Sequence, residues 1–485
     1  MMNRLIPRAL AIVGVLYLLL PNVLFLLGWV EPEVSIPLCL LLVFAVWRVL
    51  KNLSIPQIRF EKKDLVFVFL LVLGCLFAVE SLGINGHAQQ SGDFIVRNAI
   101  YDSLVRESWP LYSERGEYFV YYHAYWLPPA LLAKWLGAAF STFLLWGWTV
   151  LGFVLGFSLL YLRFKRSTLL LMAILFLTGP LNTWGELPYI LRELSEKISS
   201  LNPLVQVSYN YLGELNQGFA YVSFWNQIAF NSFNNALPFF VFIAWFFACR
   251  PRPVQALSAA SLTVVTSPLT ALVTLPYLAI CKWRQRHELV TKRAFLLLPF
   301  VLLLTLVGLY YSGGGGSTVA FLWNNLPEVS GKLADASARF SRHLIIMHLM
   351  IIPTFFLLRK HFKRTAAYRY SILLIALLPL IWIGRWNNEL LIKGSTLLFF
   401  LLGAMYTVLI RYQKGVRRYA AILFLSLTSI MFFWDMAARF LHFYSWNPQQ
   451  MEKNIRSTWN GHLNHPDHPW YKNFWGTRNS SILKP

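Results

Sequence analysis

The sequence predicts an all-α polytopic membrane protein, and three observations carry that reading. The chain of 485 residues is 57% hydrophobic and only 13% charged, where a soluble domain carries about 25% charged residues. Its mean hydropathy is +0.51. Apolar runs long enough to cross a bilayer recur, among them "ALAIVGVLYLLLPNVLFLLGWV" and "AFLLLPFVLLLTLVGLY". The alternating strands of a closed barrel are not seen, so the spans are read as helices, about 11 to 13 of them.

The first apolar run follows the basic start "MMNRLIPR". It is too long for a signal-peptide core, and the "EPEV" behind it offers no small-residue cleavage site, so it reads as a retained helix. The formal net charge is +22, but the basic residues sit mainly in short loops between apolar runs. Topology accounts for them, and nucleic acid is not expected as a partner. The four cysteines (Cys39, Cys75, Cys249, Cys281) lie in or beside apolar segments with no metal-ligand spacing.

The positive-inside rule orders the loops. Basic clusters at Arg4/Arg8, Arg48–Lys63, Arg163–Arg166, Arg250–Arg252, Lys282–Arg293, Arg359–Arg364 and Arg411–Arg418 can all be cytoplasmic at once. The other side then receives "EPEV" and three long loops, at 84–140, 182–235 and 312–343. These belong to a membrane domain over 1–436, and an external tail follows over 437–485. The scheme puts the N-terminus inside and the C-terminus outside. It requires "YFVYYHAYWLPPALLAKWLG" to lie along the membrane surface, which its Pro128-Pro129 pair and aromatic content suit. It also breaks 254–281 at "TSPLT" into a short helical hairpin.

The candidate chemistry gathers in the external loops. Asp93 in "SGDF" leaves the bilayer after the third apolar run, with Arg97, Asn98 and Asp102 behind it. On a helix Asp93, Arg97 and roughly Tyr101 share a face. Asp93 reads either as a helix cap or as a general base that deprotonates an acceptor hydroxyl at the membrane surface. Further on, "GRWNNELLIKGST" offers Arg385, Asn388 and Glu389 in a short loop, and Lys393 entering the next helix. Lys393 reads either as the partner of Glu389 one turn earlier or as a cation that holds a lipid-linked phosphate. Tyr122 and His123, and Asn226 and Gln227 in "FWNQIAF", are the aromatic and amide groups that suit sugar recognition. His462, His465 and His468 beside Asp467 have a metal-like spacing, but Pro466 and Pro469 oppose the helix that would align them, so no metal ligand is assigned. A divalent cation stays open. "SGGGGS" lacks the Lys-Ser/Thr of a phosphate loop and reads as a linker.

"GDFIVRNAIYDSLVRESWPL" followed by "YYHAYWLPPALLAKWLG" resembles the first large external loop of the GT-C superfamily, multipass glycosyltransferases that use polyprenyl-phosphate-linked sugars. In that family a catalytic or metal-binding Asp opens the loop. A proline-bearing surface helix, a spanning helix, a basic turn and another helix follow. Here the matching order is Asp93, 119–138, a helix near 141–162, "RFKR", and a helix near 168–181. "NNELLIKGSTLLFF" is similar to an Asn-acid–x3–basic–x–Ser element of bacterial membrane proteins of this broad type, with Glu389 and Lys393 in the acid and basic positions. The resemblance implies a GT-C-like fold and an enzyme of the bacterial inner membrane working on the non-cytoplasmic face. That enzyme moves a sugar from a polyprenyl-phosphate donor, with inversion, to a glycan, lipid or protein acceptor. Asp93 is then the base, Arg385 and Lys393 lie near the donor phosphate, and Asp93, Arg385, Glu389 and Lys393 line one cavity. The alternatives are a lipid-linked glycan transporter or flippase, and a glycan polymerase or ligase.

Overall fold

The computed structural model describes residues 2–53, 55, 61–84, 92–177, 224–228, 233–314, 319–321, 353–383 and 389–429, together with 458, 463, 474–476 and 481–484. The chain forms two units. One comprises Met1–Thr168, Ser232–Gly316 and Asn447–Pro485; the other comprises Leu169–Asn231 and Ser317–Trp446.

In chain order the first unit contains α1 (Met2–Trp29), α2 (Pro32–Lys51), α3 (Lys62–Ser81), α4 (Gly92–Arg106), α5 (Leu127–Leu136) and α6 (Ser141–Phe164). Helix α7 (Ser167–Leu177) leads into the second unit. The first unit resumes with α8 (Phe233–Cys249), α9 (Pro253–Ser261), α10 (Pro268–Lys282) and α11 (Leu298–Ser312). The second unit adds α12 (Ala366–Leu377), α13 (Glu389–Tyr412) and α14 (Val416–Thr428). Among the described residues the strands are limited to β1 (Tyr118–Phe119), β2 (Val319–Phe321), β3 (Ile381–Ile383) and β4 (Trp475–Gly476).

Among the described residues six helical segments are long and apolar enough to cross a membrane: Leu5–Trp29, Pro32–Lys51, Asp64–Ser81, Ala138–Phe164, Ala294–Ser312 and Glu389–Tyr412. Three shorter apolar helices, α7, α8 and α12, accompany them. The protein is therefore a multi-pass helical membrane protein. Helix α5, with ten residues, is only about 15 Å long, half the hydrocarbon thickness of a bilayer. The run at 254–281 is two helices, α9 and α10, joined by a turn in which Ser267 N–H donates to Thr263 O at 2.7 Å. Neither helix is long enough to cross alone.

The basic clusters of the first unit meet at one end. Arg166 reaches the cap of α3, 3.1 Å from Glu61 and 3.5 Å from Asp64. Asp64 in turn accepts from Glu61 N–H at 2.7 Å, closing a capping box. Gln255, in the first turn of α9 behind Arg252, donates to Val49 O at 3.0 Å near the basic end of α2. Lys282 at the end of α10 lies over the Phe246 ring of α8 at 5.4 Å.

The acidic and aromatic loops meet at another place, around the C-terminal end of α1. Glu31 N–H donates to Ile482 O at 2.8 Å, and Lys484 N–H to Trp29 O at 3.0 Å. Strands β1 and β4 pair antiparallel, with Tyr118 opposite Gly476, and Gly314 bridges Gly476. The "EPEV" turn, the loop of 107–126, the end of α11 and the C-terminal residues thus form one cap.

Close helix packing frames that cap. Gly152 and Gly156, one turn apart on α6, face Tyr17 of α1 and Leu237 and Phe240 of α8. With no Cβ on either glycine the backbones approach closely, the small-xxx-small packing that apolar lipid favours. Buried Asn22 donates from Nδ2 to Leu18 O and to Leu262 O, both at 2.7 Å. It thereby ties α1, next to its internal Pro21, to the α9–α10 turn.

In the second unit Gly403 of α13 packs on Leu175 and Ile174 of α7, with a Cβ position only 3.0 Å from Leu175. Tyr406 donates to Thr354 Oγ1 at 3.1 Å. Strands β2 and β3 pair antiparallel with Val319 opposite Ile383.

Candidate functional site

Helix α4 begins at Gly92, so Asp93 lies in its first turn; its side chain lies outside the described part of the structure. One turn on, Arg97 is 6% exposed and sits over the Phe94 ring at 5.5 Å. Phe94 stacks on Phe233 at the start of α8, centroids 5.4 Å apart. Tyr101 is also buried and donates to Ser141 O at 2.8 Å. The face shared by positions 93, 97 and 101 therefore turns inward at Arg97 and Tyr101. A guanidinium in such surroundings costs several kcal/mol unless charge or hydrogen bonds compensate it. Asn98 is half-buried. Asp102 is engaged by its own helix, with both carboxylate oxygens 2.9 Å from Arg106 Nε.

The loop after α4 carries the second group. His123 is fully enclosed, its ring 4.2 Å from that of Trp29 and 5.5 Å from that of Phe119. Its Nδ1 lies 2.8 Å from Tyr121 O and 3.3 Å from Tyr310 Oη. The carbonyl can only accept, so Nδ1 carries the proton and Nε2 is left with a lone pair. Tyr310 receives Tyr121 N–H at 2.9 Å and donates to Phe119 O at 2.8 Å, pinning the loop to α11. Tyr122 stacks on Tyr121 at 3.9 Å, and its carbonyl accepts from Asn234 Nδ2 at 3.4 Å.

Several polar atoms in this group are buried without a hydrogen-bond partner among the described residues. They are His123 Nε2, the indole N–H groups of Trp29 and Trp126, Asn234 Oδ1 and both amide atoms of Asn235. Each such atom costs about 1–3 kcal/mol, and a cluster of them marks a place where polar chemistry is expected. The cluster combines donors, acceptors and aromatic rings, the combination that binds sugar hydroxyls and ring faces.

Burial holds the His123 imidazole far below its usual range, at about 3 against 6.5. In the unfolded chain the same group takes a proton near 6.5. Between those values the unfolded state binds more protons, so acid favours unfolding, and above pH 6.5 the effect vanishes. Melting of the purified protein in detergent is expected to show stability falling by up to about 1.4 kcal/mol per pH unit below 6.5. His123→Gln should flatten that slope; an unchanged slope would mean that His123 does not carry it. Nearby, burial raises the Glu107 carboxyl and lowers the Lys134 ammonium. Lys134 donates to Glu107 O and lies over the Trp109 ring at 5.3 Å.

The remaining candidates belong to the second unit. Glu389 opens α13, where the helix dipole favours an acid, and its Oε2 lies 2.5 Å from Lys393 Nζ. The Lys393 side chain is 5% exposed and that of Glu389 is 35% exposed. The intrahelical pair is therefore present, and its cation is the buried member. Gln227 is fully buried. Asn226 lies in the short helical turn Phe224–Asn226, its side chain outside the described residues. Arg385 and Asn388 lie outside the described residues, as do the acids of 182–223 and the tail histidines His462, His465 and His468. Asp93 belongs to one unit and the Glu389–Lys393 pair to the other.

Sequence reasoning passed over Tyr310, Trp29 and Trp126, and it took Asn234 and Asn235 only as part of the amide-rich stretch "ELNQGFAYVSFWNQIAFNSFNNALP" read for sugar recognition. The doubled amide in "FNNALP" just before Pro238 was the one local signal, because a proline leaves the carbonyl four residues earlier without its helical donor. Among the described residues no group of three or more His, Cys, Asp or Glu could hold a metal ion. The four cysteines are free, three of them buried. Comparison with protein-family models, with curated proteins and with solved structures returned no match.

Proposed function

We propose that this protein is an integral membrane glycosyltransferase of GT-C type. It takes a sugar from a polyprenyl-phosphate donor and places it, with inversion, on an acceptor hydroxyl at the non-cytoplasmic face of a bacterial inner membrane. The observation that carries the reading is the buried polar and aromatic cluster of His123, Trp126, Asn234 and Asn235. It adjoins α4 through Phe233, whose ring stacks on Phe94 and lies against Trp126; the first turn of α4 holds Asp93 and its next turn buries Arg97. The cap lies at the end of the unit formed by the acidic and aromatic loops, away from the end where the basic loops meet.

In the proposed reaction the Asp93 carboxylate takes the acceptor O–H proton. The acceptor oxygen attacks the anomeric carbon opposite the phosphate, and the bond from that carbon to the phosphate oxygen breaks. The sugar inverts and polyprenyl phosphate leaves with the electron pair. A leaving phosphate needs a cation to receive its charge. Within the first unit Arg97 is assigned to it or holds Asp93, and Asn98, Asp102 and Tyr122 are assigned to the sugar and acceptor. In the second unit Lys393 and Arg385 are the candidates for a phosphate, and Asn226, Gln227, Asn388 and Glu389 those for sugar hydroxyls. The partners are thus a lipid-phosphate sugar, a glycan, lipid or protein acceptor, and the membrane.

The test is direct. Purified protein is given a panel of radiolabelled polyprenyl-phosphate sugars with crude membrane acceptors. Transfer of label from at least one donor is the expected result. A broad panel with no transfer would overturn the reading and favour transport or polymerisation of lipid-linked glycans.

A further inference from the structure

The other end of the first unit carries a second site of a different kind. Between α9, α10 and the 3-10 turn Trp283–Val290 lies a cavity of ≈ 140 Å³. Its walls are apolar, built by Ala256, Leu257, Leu278 and Ala279, and the stems of Lys282 and Arg286 complete the lining. That volume takes an apolar group about the size of benzene, or the equivalent length of an alkyl chain. The Arg286 guanidinium lies 4.6 Å from the centre of the Trp283 ring and donates to Trp283 O at 3.2 Å, which keeps the cation next to this lining residue.

The surroundings say what fits it. The segment after α10 joins one apolar helix to the next spanning segment, Ala294–Ser312. It exposes large apolar side chains, with Trp283 61%, Val290 88% and Phe295 79% exposed. In water such exposure is unfavourable; at the boundary of a bilayer it inserts among lipid chains. Around those side chains the sequence places Arg250, Arg252, Lys282, Arg284, Arg286, Lys292 and Arg293 against one acid, Glu288. The complement of an apolar slot lined in part by two cationic side chains at a membrane boundary is a lipid that carries an anionic phosphate.

We infer that the α9–α10 hairpin and the turn Trp283–Val290 form a binding site for one anionic phospholipid, an acyl chain in the cavity and the headgroup phosphate on Lys282 and Arg286. The site lies among the basic loops and does not depend on the transfer reaction. Its occupant is a resident lipid that seats the 283–297 segment on the leaflet.

The experiment is native mass spectrometry of the delipidated full-length protein, titrated in detergent with palmitoyl-oleoyl phosphatidylglycerol or the matching phosphatidylcholine. One phosphatidylglycerol should be retained with about tenfold preference over phosphatidylcholine, whose choline cation offsets its phosphate beside Lys282 and Arg286. Lys282→Ala with Arg286→Ala should erase that preference. Ala279→Trp, at an exposed position on the cavity wall, should weaken both lipids while leaving the charges in place. Equal retention of the two lipids by the wild type would overturn the site. So would a preference that survives the double substitution, or phosphatidylglycerol binding that Ala279→Trp leaves unchanged.

Discussion

Asp93→Asn is expected to lower sugar transfer by about 10²- to 10⁴-fold, the range that general-base catalysis supplies. The substitution is informative because of where Asp93 sits. Position 93 is in the first turn of α4. Inside the first turn a structural carboxylate acts through the helix dipole, worth about 0.3–1 kcal/mol, so the change removes a proton acceptor at a small cost in stability. A purely structural role therefore predicts unchanged transfer and only that small loss in melting. A catalytic role predicts that kcat falls while donor binding holds and melting moves no further, since the lost interaction exists only in the transition state. The pH profile supplies an independent readout: the acid limb of the wild type, set by protonation of the base, should disappear from whatever activity remains. Equal rates for the two proteins would clear Asp93 of the role and would leave the transferase reading in need of another base.

Gly156→Leu is expected to destabilise the first unit by about 3 kcal/mol, the upper part of the range for overpacking. A Cβ at Gly156 already meets the ring of Phe240, and one at Gly152 meets Tyr17 and Leu237. Tyr17 stacks on Trp148 at 4.2 Å, and Phe240 packs on Phe157 at 4.8 Å, so neither ring has a nearby place to go. The helices must separate, and separation forfeits the dispersion contacts that hold helices together in lipid. Gly147, on the same helix but with open space around its Cβ position, is the control. Gly147→Leu should leave melting and yield close to wild type. Similar losses at both positions would mean that the α6–α8 contact is not a tight one.

Much of the fold was legible because membrane insertion reads local properties. The spans around α1, α2, α3, α6 and α11 follow from hydropathy over about 20 residues. The turn at Thr266-Ser267-Pro268 follows from a proline that starts a helix readily and continues one poorly. The 119–138 segment was recognised as non-spanning from Pro128-Pro129 and its aromatic residues, and α5 is indeed too short to cross. The candidate site was legible in part. The i,i+4 spacing brought Arg97 into view and gave the Glu389–Lys393 pair. Spacing does not say which member of a pair is buried, and there the burial fell on Lys393.

Hydropathy and helix spacing are written residue by residue, and so the sequence by itself determined the helical membrane class; against about 11 to 13 expected crossings, six helices of spanning length stand among the described residues. Only the tertiary structure decided that residues 474–476 and 481–484 return to the end of α1, more than 400 residues earlier in the chain. It alone enclosed His123 between Trp29 and Tyr310, and it alone joined Asn22 to Leu262. Such contacts depend on complementary shape and on hydrogen-bond partners supplied by distant segments. No local propensity encodes that choice, because each segment is satisfied only once the others are in place.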